Sequence, residues 1–260
     1  MPDIRENMLN LAALGRRQDG RGLEDYREPI SVEVGISRSA EGSALVKIGK
    51  TVVMAGVKLA LDKPYPDTPN EGSMMINVEL LPLSNPKYES GPPSIKAVEL
   101  ARVVDRGIRE AKAIDTKKLC IIPGEKSWTV IIDLISINDD GNLYDAAGLA
   151  AMAALDNAVF PKLKEGNIPD YKEKSNIPIP LTKNILPVTV FKVGQYLFVD
   201  PTQEEEEGYD GRLSVAVAAD GNIAALQKGG EDTFTLEEIE TMVDLAVQKA
   251  KFLREKLKSI

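Results

Sequence analysis

Residues 128–160 read WTVIIDLISI, NDDGN, LYDAAGLAAMAALDNAVF, and these three segments decide the fold. The first, 128–137, is β-branched and apolar, the composition of a central strand. The second, Asn138-Asp139-Asp140-Gly141-Asn142, is a strong turn signal. The third, 143–160, is alanine-rich, with polar side chains only at Tyr144, Asp145, Asp156 and Asn157. A helix apolar on most faces belongs deep in a fold, where alanines permit close packing.

Outward from this unit, strands and helices follow in order. Residues 4–14 predict a short helix ending at Gly15. Residues 30–37 alternate as a half-buried strand, 43–60 as a hairpin turning at Gly49-Lys50, and 73–83 as another strand. Residues 85–94 hold three prolines and read as loop. A helix is expected from Ser94 as its N-cap to Ala113. Beyond the buried helix, 161–187 is proline-punctuated and polar, reading as a linker or crossover. Strands are expected at 188–193, 195–199, 213–219 and 222–226. Gly229-Gly230 reads as a loop into a last helix, whose Thr235 and Glu238 have capping-box spacing. Both parts run strands first and helix later, which predicts an α+β fold of two similar halves.

Composition narrows the chemistry. The chain has 260 residues, 43% hydrophobic and 28% charged, enough for one large domain or two modest ones. No apolar run approaches the ~20 residues of a membrane span. Residues 1–10 carry Asp3, Arg5 and Glu6 and no apolar core like a secretory signal's. The single Cys120, in an apolar run and so expected to be buried, excludes an intrachain disulfide. These features predict a cytoplasmic protein. Histidine is absent, which removes serine–histidine triads, cysteine–histidine dyads and His-ligated zinc. Any metal would need oxygen ligands; neither a metal nor a cofactor is expected.

Against a net charge of −8, the helix over 94–113 places Arg102, Arg106 and Arg109 within an arc of roughly 60°. Leu100, Val103, Val104, Gly107, Ile108 and Ala111 take the other side. From 94 to 118 there are seven Lys/Arg against four Asp/Glu. An acidic chain repels polyanions in general, so a concentrated guanidinium row points to phosphate contact. The alternative is a solvated face paired with Glu99, Asp105 and Glu110. A second cluster, Arg16, Arg17 and Arg21, is read either as a basic site or as a solubilising loop. The acidic stretch 200–210, with six carboxylates, is read as a solvated loop, a metal site or a source of a general acid. No dinucleotide or Walker A fingerprint is present. Aromatics are not interleaved with basic residues as a base-stacking surface requires.

Several stretches in fixed order resemble RNase PH-type proteins: Gln18-Asp19-Gly20-Arg21 and Ala40-Glu41-Gly42-Ser43-Ala44-Leu45-Val46-Lys47-Ile48-Gly49. Asn70-Glu71-Gly72, Leu80-Leu81-Pro82-Leu83, Glu99-Leu100-Ala101-Arg102-Val103-Val104-Asp105-Arg106, Ile122-Pro123-Gly124 and Asp200-Pro201-Thr202-Gln203-Glu204-Glu205-Glu206 narrow the likeness. Together, over about residues 16–255, they resemble the non-catalytic RNase PH-like subunits of the archaeal exosome.

The resemblance implies an RNase PH-like fold of two ββαβα-type halves. The expected organisation is an N-terminal extension (1–25), a first half (26–160) and a C-terminal half (187–258). It also implies a hexameric ring, a trimer of heterodimers with a catalytic RNase PH-like paralogue, with RNA-binding cap subunits and single-stranded RNA threading the centre. Phosphorolytic members use paired arginines before the helix, a Gly-Ser-Arg turn that cradles phosphate, and an aspartate pair. This chain has Ile95-Lys96, Gly141-Asn142-Leu143, and Glu206 with Arg212 at those places. The resemblance therefore implies no catalytic residue here. It implies RNA-binding roles for Arg102 and Arg106, with Arg109 on the same arc and Lys96 nearby. An autonomous phosphorolytic enzyme and a structural or cap-binding module without RNA contact are the rival readings.

Overall fold

The computed structural model describes residues 4–258; residues 1–3 of the expected N-terminal extension, Asp3 among them, lie outside the described residues. Helix α1 (Ile4–Ala12) leads into an arm over 16–27. Strands β1 (Ile30–Val34), β2 (Gly42–Ile48), β3 (Thr51–Asp62) and β4 (Ser73–Leu80) precede α2 (Ile95–Glu110). Then come β5 (Cys120–Ile122), β6 (Lys126–Asn138), α3 (Leu143–Asp156) and a ribbon of β7 (Val159–Lys164) and β8 (Ile168–Pro178). The chain closes with β9 (Ile185–Val193), β10 (Tyr196–Val199), β11 (Gly211–Ala218), β12 (Ile223–Gly230) and α4 (Leu236–Lys258).

Two sheets result. The first runs β1-β2-β3-β6-β4, with short β5 on the start of β6; β4 is parallel to β6 and the other pairs are antiparallel. The second is antiparallel, β10-β9-β11-β12. The central position expected for 128–137 is realised: β6 lies between β3 and β4. Helix α3 packs between the sheets, against β2 and β3 on one side and β9 on the other, which is why Leu143 through Leu155 are all buried. A Cβ on Gly148 would lie 2.0 Å from the Pro187 ring, and one on Gly42 would lie 2.2 Å from the Ala154 carbonyl oxygen. These glycines set how closely helix and sheets approach.

Four sequence expectations are corrected. The buried helix ends at Asp156, because the chain turns outward into β7. The stretch read as a linker, 161–187, holds most of the β7–β8 ribbon and the start of β9. A two-stranded ribbon leaves one edge of each strand unpaired, so prolines lacking an N–H can lie in it. Backbone pairing joins Lys162 to Asp170 and Lys164 to Ile168, exposed ion pairs Lys162–Glu173 (2.8 Å) and Lys164–Asp170 (2.7 Å) lie across it, and the reversal uses positive φ at Gly166 and Asn167. Gly229-Gly230 ends β12 rather than opening a helix; a Cβ on Gly229 would strike the Arg212 guanidinium. Cys120 is half-buried, on the short strand β5 at the sheet's margin. The two caps hold: Ser94 Oγ accepts from the Ala97 amide, and Thr235 and Glu238 bond reciprocally at 2.9 and 3.2 Å. Among the described residues no helix is long and apolar enough to cross a membrane.

Candidate nucleic-acid interface

Helix α2 buries Ala97, Leu100, Val103, Val104, Gly107 and Ile108, so Arg102, Arg106 and Arg109 are forced outward on its exposed side. The three are not equivalent. Arg109 donates to both oxygens of Asp105 (2.9 and 2.7 Å) and to the Met74 carbonyl (3.0 Å), and the Asp105 hydrogen bonds raise its pKa. Arg106 lies 3.9 Å from Glu110, a loose surface pair. Among the described residues Arg102 has no hydrogen-bonding or ionic partner. One and two turns before Arg102, Val98 and Ile95 are exposed, and Ile223 and Leu226 on β12 are exposed beside Arg106. The face is therefore apolar around a guanidinium row.

Lys96 lies elsewhere. Its ammonium is 3.3 Å from Asp139 and 3.3 Å from Glu206, and it sits over the Tyr88 ring. Burial works against its charge, but Glu206 and Asp139 outweigh that and hold its pKa well above the usual lysine range. Tyr88 also donates to Asp139. The structure thus separates the four candidate residues into an outward row, of which Arg102 is unpaired, and a lysine already engaged with carboxylates.

Those carboxylates surround the N-terminus of α3. Asn142, the N-cap, has φ +54° and makes no side-chain cap; its amide donates to Glu206 Oε1 at 2.7 Å. Its side-chain NH2 donates instead to Asp145 (3.1 Å) and Asp200 (3.0 Å). Arg212 donates to Glu99 Oε1 (2.5 Å) and the Tyr144 hydroxyl (2.7 Å), with its guanidinium 4.2 Å from that ring's centre. Gly229 leaves the room this guanidinium needs. A cation at Arg212 offers no acidic proton to a reaction, and its charge is spent on Glu99.

The N-terminal arm holds this region in place. Arg17 is buried, pairs with Glu205 and donates to the carbonyls of Val199 (2.6 Å) and Asp200 (2.9 Å). Arg27 grips both oxygens of Asp200 (2.9 and 2.8 Å) and the carbonyls of Asp140 and Gly141; Arg21 adds a third guanidinium to Asp200. Asp200 and Glu205 are thus buried ion-pair partners, which corrects the solvated-loop reading for that part of 200–210 and for Arg17. Among the described residues no three carboxylates converge as a metal site would require.

Asp145 was visible in the sequence as a polar residue inside an alanine-rich helix, but its role was not. It is fully buried and accepts from Tyr26 (2.6 Å), Asn142 and the Thr189 amide (2.8 Å). Burial pushes its carboxyl up to about 7 despite these donors, with Asp200 adding to the effect. Arg27, Tyr88, Asp139 and Glu99 were also missed as contributors. Only their tertiary contacts, with partners far along the chain, reveal them.

Models of the 3′ exoribonuclease family match the chain as domain 1 over residues 26–161 and domain 2 over 184–249. The exosome complex component Rrp42 of Pyrococcus horikoshii is 48% identical over 255 residues, covering 96% of this chain and 92% of the relative. That of Sulfurisphaera tokodaii is 46% identical over 256 residues, covering 98% and 93%. Among solved structures, a chain of the Archaeoglobus fulgidus exosome with RNA bound to the active site superposes with a TM-score of 0.89 at 40% identity, over 97% of each chain. A chain of an archaeal exosome core superposes at 0.85 and 38% identity, over 98% of this chain and 96% of that one.

Proposed function

The chain belongs to the 3′ exoribonuclease family of RNase PH-like proteins, and from that premise we propose that it is a non-catalytic ring subunit of an exosome. In this reading it pairs with a catalytic RNase PH-like paralogue in a hexameric ring, a trimer of heterodimers. The ring degrades RNA 3′ to 5′ by phosphorolysis in the cytoplasm, and RNA-binding cap subunits sit on it. The observation that carries the reading is the outward arginine row of α2, in which Arg102 has no hydrogen-bonding or ionic partner among the described residues of an acidic chain. It offers single-stranded RNA a backbone phosphate contact, with Arg106 one turn on. The exposed Ile95, Val98, Ile223 and Leu226 around the row suit a protein partner that brings the cleavage chemistry to the same face.

The non-catalytic part rests on the α3 N-terminus. Lys96 pairs there with Asp139 and Glu206, and Arg212 with Glu99, so these charges are engaged with one another. Arg109 fits the rival bridge-only reading, since Asp105 and the Met74 carbonyl already take its donors.

The test incubates the chain, the paralogue and their mixture with RNA and inorganic phosphate. The mixture is expected to release nucleoside diphosphates and the chain alone none. Release by the chain alone overturns the reading. In the assembled ring, Arg102→Glu with Arg106→Glu is expected to weaken RNA binding with assembly kept. Loss of the ring would favour the bridge-only alternative, and unchanged affinity would remove the RNA role.

A further inference from the structure

Arg102 is unpaired because two other arginines hold the carboxylates beside it. On a helix, side chains three and four positions apart are neighbours, with Cβ atoms about 5–6 Å apart, and opposite charges at that spacing pair. Two carboxylates of α2 stand three positions from Arg102, Glu99 before it and Asp105 after it. Glu99 is the stronger competitor, since an acid N-terminal to its cation is the favoured order. Neither pairs with Arg102. Asp105 gives both oxygens to Arg109, at 2.9 and 2.7 Å. Glu99 gives one oxygen to Arg212 at 2.5 Å and the other to the Tyr144 hydroxyl at 3.1 Å.

Arg212 reaches Glu99 from strand β11, 113 positions along the chain. Its own placement is fixed from behind. It donates to the Tyr144 hydroxyl at 2.7 Å, lies 4.2 Å from that ring's centre, and fills space that a Cβ on Gly229 would take. Its side chain is 4% exposed, too buried to touch a strand on the outer face of α2, whereas Glu99 is 33% exposed and borders that face. We propose that Arg212 is a positioning residue for RNA binding: it holds Glu99 away from Arg102, as Arg109 holds Asp105, and so keeps the Arg102 guanidinium available to a phosphate. Without Arg212, Glu99 pairs with Arg102 and sets a negative charge beside the strand. This role rests on the RNA-binding reading above and adds to it a residue that never meets the RNA.

The experiment measures the affinity of the assembled ring for a single-stranded oligoadenylate in phosphate-free buffer, where the strand binds without being phosphorolysed. Arg212→Gln is expected to weaken binding at least about twofold at low salt, the size of an exposed helical ion pair, with the loss shrinking as salt is raised. Adding Glu99→Gln, which restores the wild-type net charge, is expected to bring the affinity back. In an Arg102→Ala ring, Arg212→Gln is expected to change nothing further. Unchanged affinity in the Arg212→Gln ring overturns the proposal. So does a loss that Glu99→Gln fails to rescue, or one of equal size with and without Arg102, since a merely structural Arg212 gives those results. If Arg212→Gln does not fold or assemble, the exposed Arg109 serves instead. Arg109→Gln is then expected to weaken binding and Asp105→Asn to restore it; no rescue means that Arg109 grips the strand itself, and overturns the proposal. The Arg102→Ala ring separates the two readings. Unchanged affinity in it removes the RNA role, whereas a weakened Arg102→Ala ring beside an unaffected Arg212→Gln ring defeats the positioning role alone.

Discussion

Helices α2 and α3 pack against one another, and the N-terminus of α3 and the outer face of α2 use their cations in opposite ways. Around α3, Lys96 has two carboxylates, Arg212 has Glu99 and Tyr144, and Arg27 has Asp200. On α2, Arg109 is bound to Asp105, Arg106 loosely to Glu110, and Arg102 to nothing among the described residues. Among the described residues seven of the eleven arginines have a carboxylate partner, and Arg16, Arg38, Arg102 and Arg254 do not. The comparison teaches that charge count does not locate a binding face. What narrows it is a charge left over after internal pairing that also stands in a row with others on one helix face, as Arg102 does with Arg106.

The largest expected effect tests the closed region. Asp145→Ala would leave the Tyr26 hydroxyl, one Asn142 N–H and the Thr189 amide buried without an acceptor. A loss of roughly 3 kcal/mol or more in denaturant unfolding is expected. A cost near zero would mean the network is not holding α3. Next comes Arg212→Ala, which strands Glu99 and Tyr144 and is expected to cost about 2 kcal/mol, because Glu99 remains partly hydrated. Arg109→Ala removes an exposed bridge and one carbonyl contact, expected at under about 1 kcal/mol by the same measurement. Arg102→Ala is expected to shift stability by no more than about 0.5 kcal/mol. A larger loss would reveal a structural role and erase the contrast between the two regions.

Asp145 also makes the closed region sensitive to pH. Burial, with Asp200 nearby, holds its folded pKa up at about 7, against an ordinary aspartate value of about 4 in the unfolded chain. The folded state therefore binds this proton more tightly than the unfolded state. The stabilisation is complete below about pH 4 and is lost as pH rises through about 7. Between about pH 5 and 8 the wild-type denaturation midpoint is expected to fall relative to that of Asp145→Asn. Parallel profiles for the two chains would contradict it.

How much of this was legible depended on the range of the interactions. The Ser94 cap, the 49–50 turn, the central 128–137 strand and the buried alanine helix are encoded locally, and the structure keeps them. The ribbon over 159–178 was lost because its prolines and charges look like linker composition. Its order comes from the antiparallel backbone ladder between β7 and β8, which periodicity does not display. At the site, the exposed arginine arc followed from helical spacing, but which arginine stays free did not. Asp105 sits four residues before Arg109 at ion-pairing distance, a local signal that was available. The seating of Glu206 on Asn142 and Lys96 joins segments far apart in sequence, and no local pattern announces it.

Salt dependence of RNA binding by the assembled ring, compared between wild type and Arg102→Ala, weighs the central claim most directly. The account predicts intact assembly, weaker binding at low salt, and a plot of log affinity against log salt shallower by about 0.7 per lost phosphate contact. Identical affinities and slopes in an intact ring would contradict it.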